Sequence, residues 1–145
     1  MTPAEKLLKM IEDVDPDDSD TLDEIDARFW CFSNGEVFEK AKRKYVGSAL
    51  GDCICINFYH PDAGHGNGFT TIREYYTRSR DVLKAARLKD WTYSSHQNRK
   101  GFEYPKLGWV VSLGSVCRSP ILPTEELAEL HAIIQAKEWD KENAN

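Results

Sequence analysis

The sequence predicts an α+β fold, with an N-terminal helix pair and two further helices packed on a small antiparallel sheet. Three observations carry this. Four segments join a capping residue to apolar positions three and four apart, the pattern of amphipathic helices. Two runs rich in aromatic and β-branched residues, 91–95 and 109–113, flank a turn-forming stretch, as in a hairpin or meander. The length, 145 residues, suits one domain spanning 1–145 with one core.

The first helix opens at Thr2-Pro3-Ala4-Glu5. Thr2 can cap, Pro3 fits the first helical position, and Glu5 can reach back to complete a capping box. Leu7, Leu8, Ile11 and Val14 then form one apolar stripe. Pro16, within an acidic break, cannot continue the helix. A second capping box is read at Thr21-Leu22-Asp23-Glu24, followed by Leu22, Ile25, Phe29 and Phe32 at helical spacing and a stop at Asn34-Gly35. The short break makes an antiparallel helix pair plausible.

Residues 36 to 72 read least clearly. The stretch 36–45 fits either continued helix or a ragged strand, 53–59 is a short β-type run, and 60–68 is a loop rich in glycine. Ser79 caps a third helix, with Asp81 in its first turn. Asn98-Arg99-Lys100-Gly101 makes the turn between the two β-type runs, and 102–104 is a possible third strand. Thr124 caps the last helix, with Leu127, Leu130, Ile133 and Ile134 facing inward and a frayed tail from Lys141.

Composition narrows the function classes. Apolar residues make up 41% and charged residues 30%, which excludes collagen, coiled coil and wholesale disorder. No apolar run is long enough for a membrane helix, and the first residues lack a basic region followed by an apolar one, so a cytoplasmic protein is expected. The net charge of −5 is uneven: residues 1–39 hold 12 acids against three bases, and the remaining 106 residues are net +4. Four cysteines without a secretion signal are expected as free thiols.

Three constellations invite a functional reading. Asp17, Asp18, Asp20 and Asp23 form an acidic surface for a basic protein partner. The same region matches several positions of a calcium loop, yet Asp18 stands where that loop needs glycine. Arg73, Arg78, Arg80, Arg99 and Lys100, interleaved with Tyr75 and Tyr76, mix charge and aromatic surface as single-strand binders do. The acidic balance of the whole chain argues against a uniform nucleic-acid binder. Cys53, Cys55, His60 and His65 supply soft and borderline ligands for zinc, at a spacing unlike that of a zinc finger. The sequence carries no phosphate loop, dinucleotide-binding glycine pattern or nucleophile elbow.

The C-terminal half has a further cadence. Tyr76-Thr77-Arg78-Ser79-Arg80-Asp81 leads through a short helix towards Trp91, then Gly108-Trp109, then a final helix from Thr124 with Leu127-Ala128 and His131-Ala132. Leu22-Asp23-Glu24-Ile25 and Phe29-Trp30-Cys31 precede it. This resembles the phage ABA sandwich domain family, small tailed-phage and prophage proteins. Their motifs read Y-T-x-S-x-D and Gly-Trp, preceded by L-D-A-x-I and W-C. The chain departs from that pattern at Arg80 and at Leu88-Lys89-Asp90, and 36–69 has no counterpart in it. The resemblance implies a phage-encoded accessory protein in the host cytoplasm, with helices flanking a small sheet. It carries no catalytic residues across. The expected function is therefore non-enzymatic binding of a host or phage protein, for instance inhibition of a host defence or regulatory protein, without a cofactor. Nucleic-acid binding and Cys/His metal binding are the alternatives. Nothing in the sequence sets an oligomeric state.

Overall fold

The computed structural model describes residues 1–45, 47, 51–61, 66–73, 75–98 and 108–143. In chain order its elements are α1 (Pro3–Asp13), α2 (Ser19–Ser33), β1 (Val37–Tyr45), β2 (Asp52–Tyr59), β3 (Asn67–Ile72), α3 (Arg80–Ala86), β4 (Tyr93–Asn98), β5 (Gly108–Leu113), β6 (Cys117–Arg118) and α4 (Glu125–Asn143). The fold class is α+β, as predicted, with two three-stranded antiparallel sheets where one was expected, and α1 and α2 fall in different units in place of the expected N-terminal helix pair. The chain gathers into two compact units, Met1–Pro16 with Tyr76–Asn145, and Asp17–Tyr75.

In the first unit α4 is the centre. α1, α3, β5 and β6 all pack against it, and residues 127 to 134 are all buried. A helix enclosed on every side must satisfy whatever polar groups it carries inward. Glu129, 0% exposed, accepts from Arg87 Nε and Nη2, both at 2.9 Å. The same guanidinium lies 3.7 Å over the Tyr93 ring. Glu125 accepts from the hydroxyls of Tyr93 and Ser95 at 2.8 and 3.0 Å and pairs with Arg80 at 2.5 Å.

The caps read from sequence are present here. Thr2 and Glu5 form the full capping box with Pro3 behind it. The Ser79 and Thr124 hydroxyls accept from the Val82 and Leu127 amides. β4 and β5 pair from Tyr93 opposite Leu113 to Asn98 opposite Gly108, which is the hairpin pairing predicted. Two residues of β6 complete the sheet. The proposed turn at Arg99 and the possible strand 102–104 lie outside the described residues. α4 runs to Asn143, whose side-chain amide donates to the Trp139 carbonyl; the rest of the tail expected to fray, 144–145, lies outside the described residues.

In the second unit the cap of α2 lies three residues before the predicted one. Asp18 is the cap: its Oδ1 accepts from the Thr21 amide and its Oδ2 from the Thr21 hydroxyl, so Thr21 sits inside the first turn. The helix ends as predicted, with Gly35 at φ +70°, a conformation glycine adopts without a Cβ penalty. The ambiguous stretch after it is a strand, not helix. β1 and β3 flank β2, and a bulge at Glu39 shifts the β1 register between Phe38 and Lys40.

α2 packs on β1 and β2. The sheet turns Phe38, Ala41, Arg43, Ile54, Ile56 and Phe58 to this helix-covered side, as their pairings show. Trp30 meets Phe58 at 5.3 Å between ring centroids, and Arg28 lies over the Phe38 ring. Ile54 and Ile56 are fully buried, each contributing about 1.5–3 kcal/mol of hydrophobic stabilisation. Gly68, opposite Phe58, has no Cβ because that space is filled by the Phe58 ring.

Candidate functional site

The other side of the same sheet follows from the register. Successive strand residues alternate between faces, so Lys40, Lys42 and Lys44 project together from β1, opposite Asn57, Cys55 and Cys53 of β2. On β3, Phe69 stands opposite Asn57 and Thr71 opposite Cys55. Lys40, Lys42, Lys44, Cys55, Asn57 and Phe69 line a concavity of about 480 Å³, with Ala41 contributing from the β1 backbone row.

The chemistry of this face is distinctive. The three lysines are exposed, and none of them pairs with a carboxylate among the described residues. Phe69 is 64% exposed, an unusual position for a ring that size. At the end of the face Tyr59 hydrogen-bonds Glu39, which holds its phenol above the ordinary range. The three lysines thus form an exposed row of positive charge along the concavity, with Glu39 beside it at the bulge.

The predicted site residues fare differently. Of the acids, Asp18 is the helix cap, which lowers its carboxyl through the Thr21 hydrogen bonds. Asp17 and Asp20 are exposed. Asp23 is only 6% exposed and grips Arg43 through both oxygens at 2.8 and 2.6 Å. It is a structural ion pair, and the four-acid surface is reduced accordingly.

The basic-aromatic set is also dispersed. Tyr76 is buried. Tyr75 accepts from Arg43 and carries its guanidinium over the ring. Arg80 is engaged with Glu125 and Tyr93, which raises its pKa. Arg73 and Arg78 are exposed, and Arg99 and Lys100 lie outside the described residues.

Cys53 and Cys55 share a face of β2, as the spacing predicts, and both are buried. His60 falls on the opposite side: its ring abuts Phe58 edge-on, and its Nδ1 lies 2.7 Å from Glu36 Oε2. His65 lies outside the described residues, and among those described no three His, Cys, Asp or Glu side chains gather as metal ligands. All four cysteines are free thiols. Burial pushes Cys31 up to about 11, with Glu36 adding to it, and burial also raises Cys117. Neither thiol is activated as a nucleophile.

Sequence reasoning missed Lys40, Lys42, Lys44 and Phe69. The signal was present as Lys-x-Lys-x-Lys, but lysines two apart share a face only in a strand. No helix among the described residues is long and apolar enough to cross a membrane. No protein family matches the chain, no curated protein is similar to it, and no solved structure matches it.

Proposed function

We propose that this chain is a nucleic-acid-binding module whose contact surface is the outer face of the β1–β2–β3 sheet. The observation that carries the reading is the row of Lys40, Lys42 and Lys44 along one edge of the concavity, without carboxylate partners among the described residues. Same-face residues on a strand repeat every ~6.6–6.8 Å. The row is thus a short ladder of positive charge suited to successive phosphates of one backbone. The chain's overall acidity does not oppose this, because ordinary salt screens exposed charges beyond about 8–10 Å. Within the phage-accessory setting suggested by the C-terminal motifs, the partner becomes nucleic acid in place of a host protein.

The test is the salt dependence of binding to a labelled oligonucleotide. Three phosphate contacts give a slope of log K against log salt of about −2 on a single strand and nearer −3 on a duplex. The variant with Lys40→Gln, Lys42→Gln and Lys44→Gln together is expected to remove most of that slope. Equal affinity and equal slope in wild type and variant would discard the reading.

A further inference from the structure

Resting on the nucleic-acid reading of this face, we infer that the nucleic acid is single-stranded and that one unstacked base lies on the Phe69 ring while its backbone follows β1. Three features of the geometry combine. The lysines are confined to β1 and the exposed ring to β3, with Asn57 between Lys40 and Phe69 in one cross-strand row. Neighbouring strands lie about 4.7–4.9 Å apart, so the charge row and the ring are separated by about 10 Å at the backbone. That span sets phosphates at one edge and a base inward over the sheet. The Asn57 side chain between them offers both donors and an acceptor to a base edge.

A duplex cannot use this arrangement. Its base faces are already stacked on one another, and what it presents is groove edges and two backbones. Phe69 offers no hydrogen bond, only a planar apolar face, and only an unpaired base has a free face to match it. A concave floor with lysines on one side also suits a polymer lying along the sheet better than a flat lipid surface. Glu39, the acid nearest this row in sequence, hydrogen-bonds Tyr59.

The experiment uses the full chain with fluorescence anisotropy at low salt. The probes are a labelled oligo-dT of about twelve nucleotides, within the length one small fold covers, a duplex of equal length, and vesicles rich in phosphatidylserine. The single strand is expected to bind tightest. Phe69→Ala should weaken it about five- to a hundredfold, the worth of one stacked base, with the salt slope unchanged. Phe69→Trp should restore binding. Because Phe69 is exposed, urea unfolding of each variant should match wild type. Equal affinity for duplex and strand, or an ineffective Phe69→Ala, overturns the single-strand inference while a lysine-dependent slope keeps the nucleic-acid reading. Binding to vesicles alone, or no effect of the lysine variant on any probe, overturns both.

Discussion

The arginines around α4 and the lysines of β1 carry the same charge and have opposite fates. Arg87 is bound through two nitrogens to a carboxylate with no exposure, and Arg80 is held by Glu125 and Tyr93. Lys40, Lys42 and Lys44 stand along a concavity with no carboxylate among the described residues. The lesson is that a basic-aromatic stretch does not by itself mark a binding surface. Arginine's planar fork matches a carboxylate bidentately and tolerates partial burial, so a cluster of arginines near acids tends to close on itself. Lysine's compact ammonium stays hydrated at the end of a flexible stem, and a row of them on an edge strand remains available. Edge lysines also discourage strand-to-strand aggregation, so the row has a structural use besides the proposed one. Oligonucleotide titration separates the two roles.

The comparison breaks most visibly at Arg87. In Arg87→Met the Glu129 carboxylate loses both hydrogen bonds while remaining enclosed by α4's neighbours. Breaking a buried pair from one side costs about 3–5 kcal/mol. Replacing both partners, Arg87→Met with Glu129→Leu, removes the stranded charge and should recover most of that loss. By contrast Lys42→Met on the exposed row should stay within about 0.5 kcal/mol of wild type. Urea midpoints measure all three. Near-equal stability of the Arg87 and Lys42 variants would dissolve the distinction between engaged and available charge.

A smaller effect distinguishes the acids. Asp23→Ala strands the Arg43 guanidinium, whose side chain is 34% exposed and can regain some water, so the expected loss is about 2 kcal/mol. Asp18→Ala removes only a helix cap, worth about 1 kcal/mol. Neither should change oligonucleotide affinity once the protein is folded. An unaltered midpoint in Asp23→Ala would return that residue to the list of surface acids.

What could be read from the sequence was what is decided locally. The Thr2 box, the Ser79 and Thr124 caps and the Gly35 stop each depend on groups within four residues. The start of α2 was misplaced because Asp18 and Thr21 are both competent caps, and the carboxylate of the first takes the amide and hydroxyl of the second. β1 was ambiguous because Glu, Lys, Ala and Arg favour helices intrinsically; its strand form comes from pairing with β2, beyond any local window. The lysine face was hidden with it, since i and i+2 lie on different sides of a helix. Arg80 looked like a binding residue because its partner, Glu125, comes from another element, α4.

The mildest test concerns His131, the other polar side chain that α4 carries inward. Gln135 fixes its tautomer. The Gln135 Oε1 accepts from the Arg118 amide, while its Nε2 donates to the Arg118 carbonyl and to His131 Nδ1 at 2.7 Å. Nδ1 must therefore accept, and the ring proton resides on Nε2, 3.4 Å from Glu12. A second proton would set two donors against each other at Nδ1. Burial holds the His131 pKa below its ordinary value of 6.5, with Glu12 opposing but not overcoming it. Because the folded state binds this proton less readily than the unfolded chain, His131's contribution is complete above pH 6.5 and is lost as pH falls through the lowered folded value. Stability should thus decline from pH 7.5 towards 5.5 more steeply in wild type than in His131→Gln, which cannot titrate. Each curve also contains the other histidines, so the difference between the two is what isolates this one. Parallel curves would show that Glu12 compensates burial fully and that folding leaves the His131 proton equilibrium unchanged.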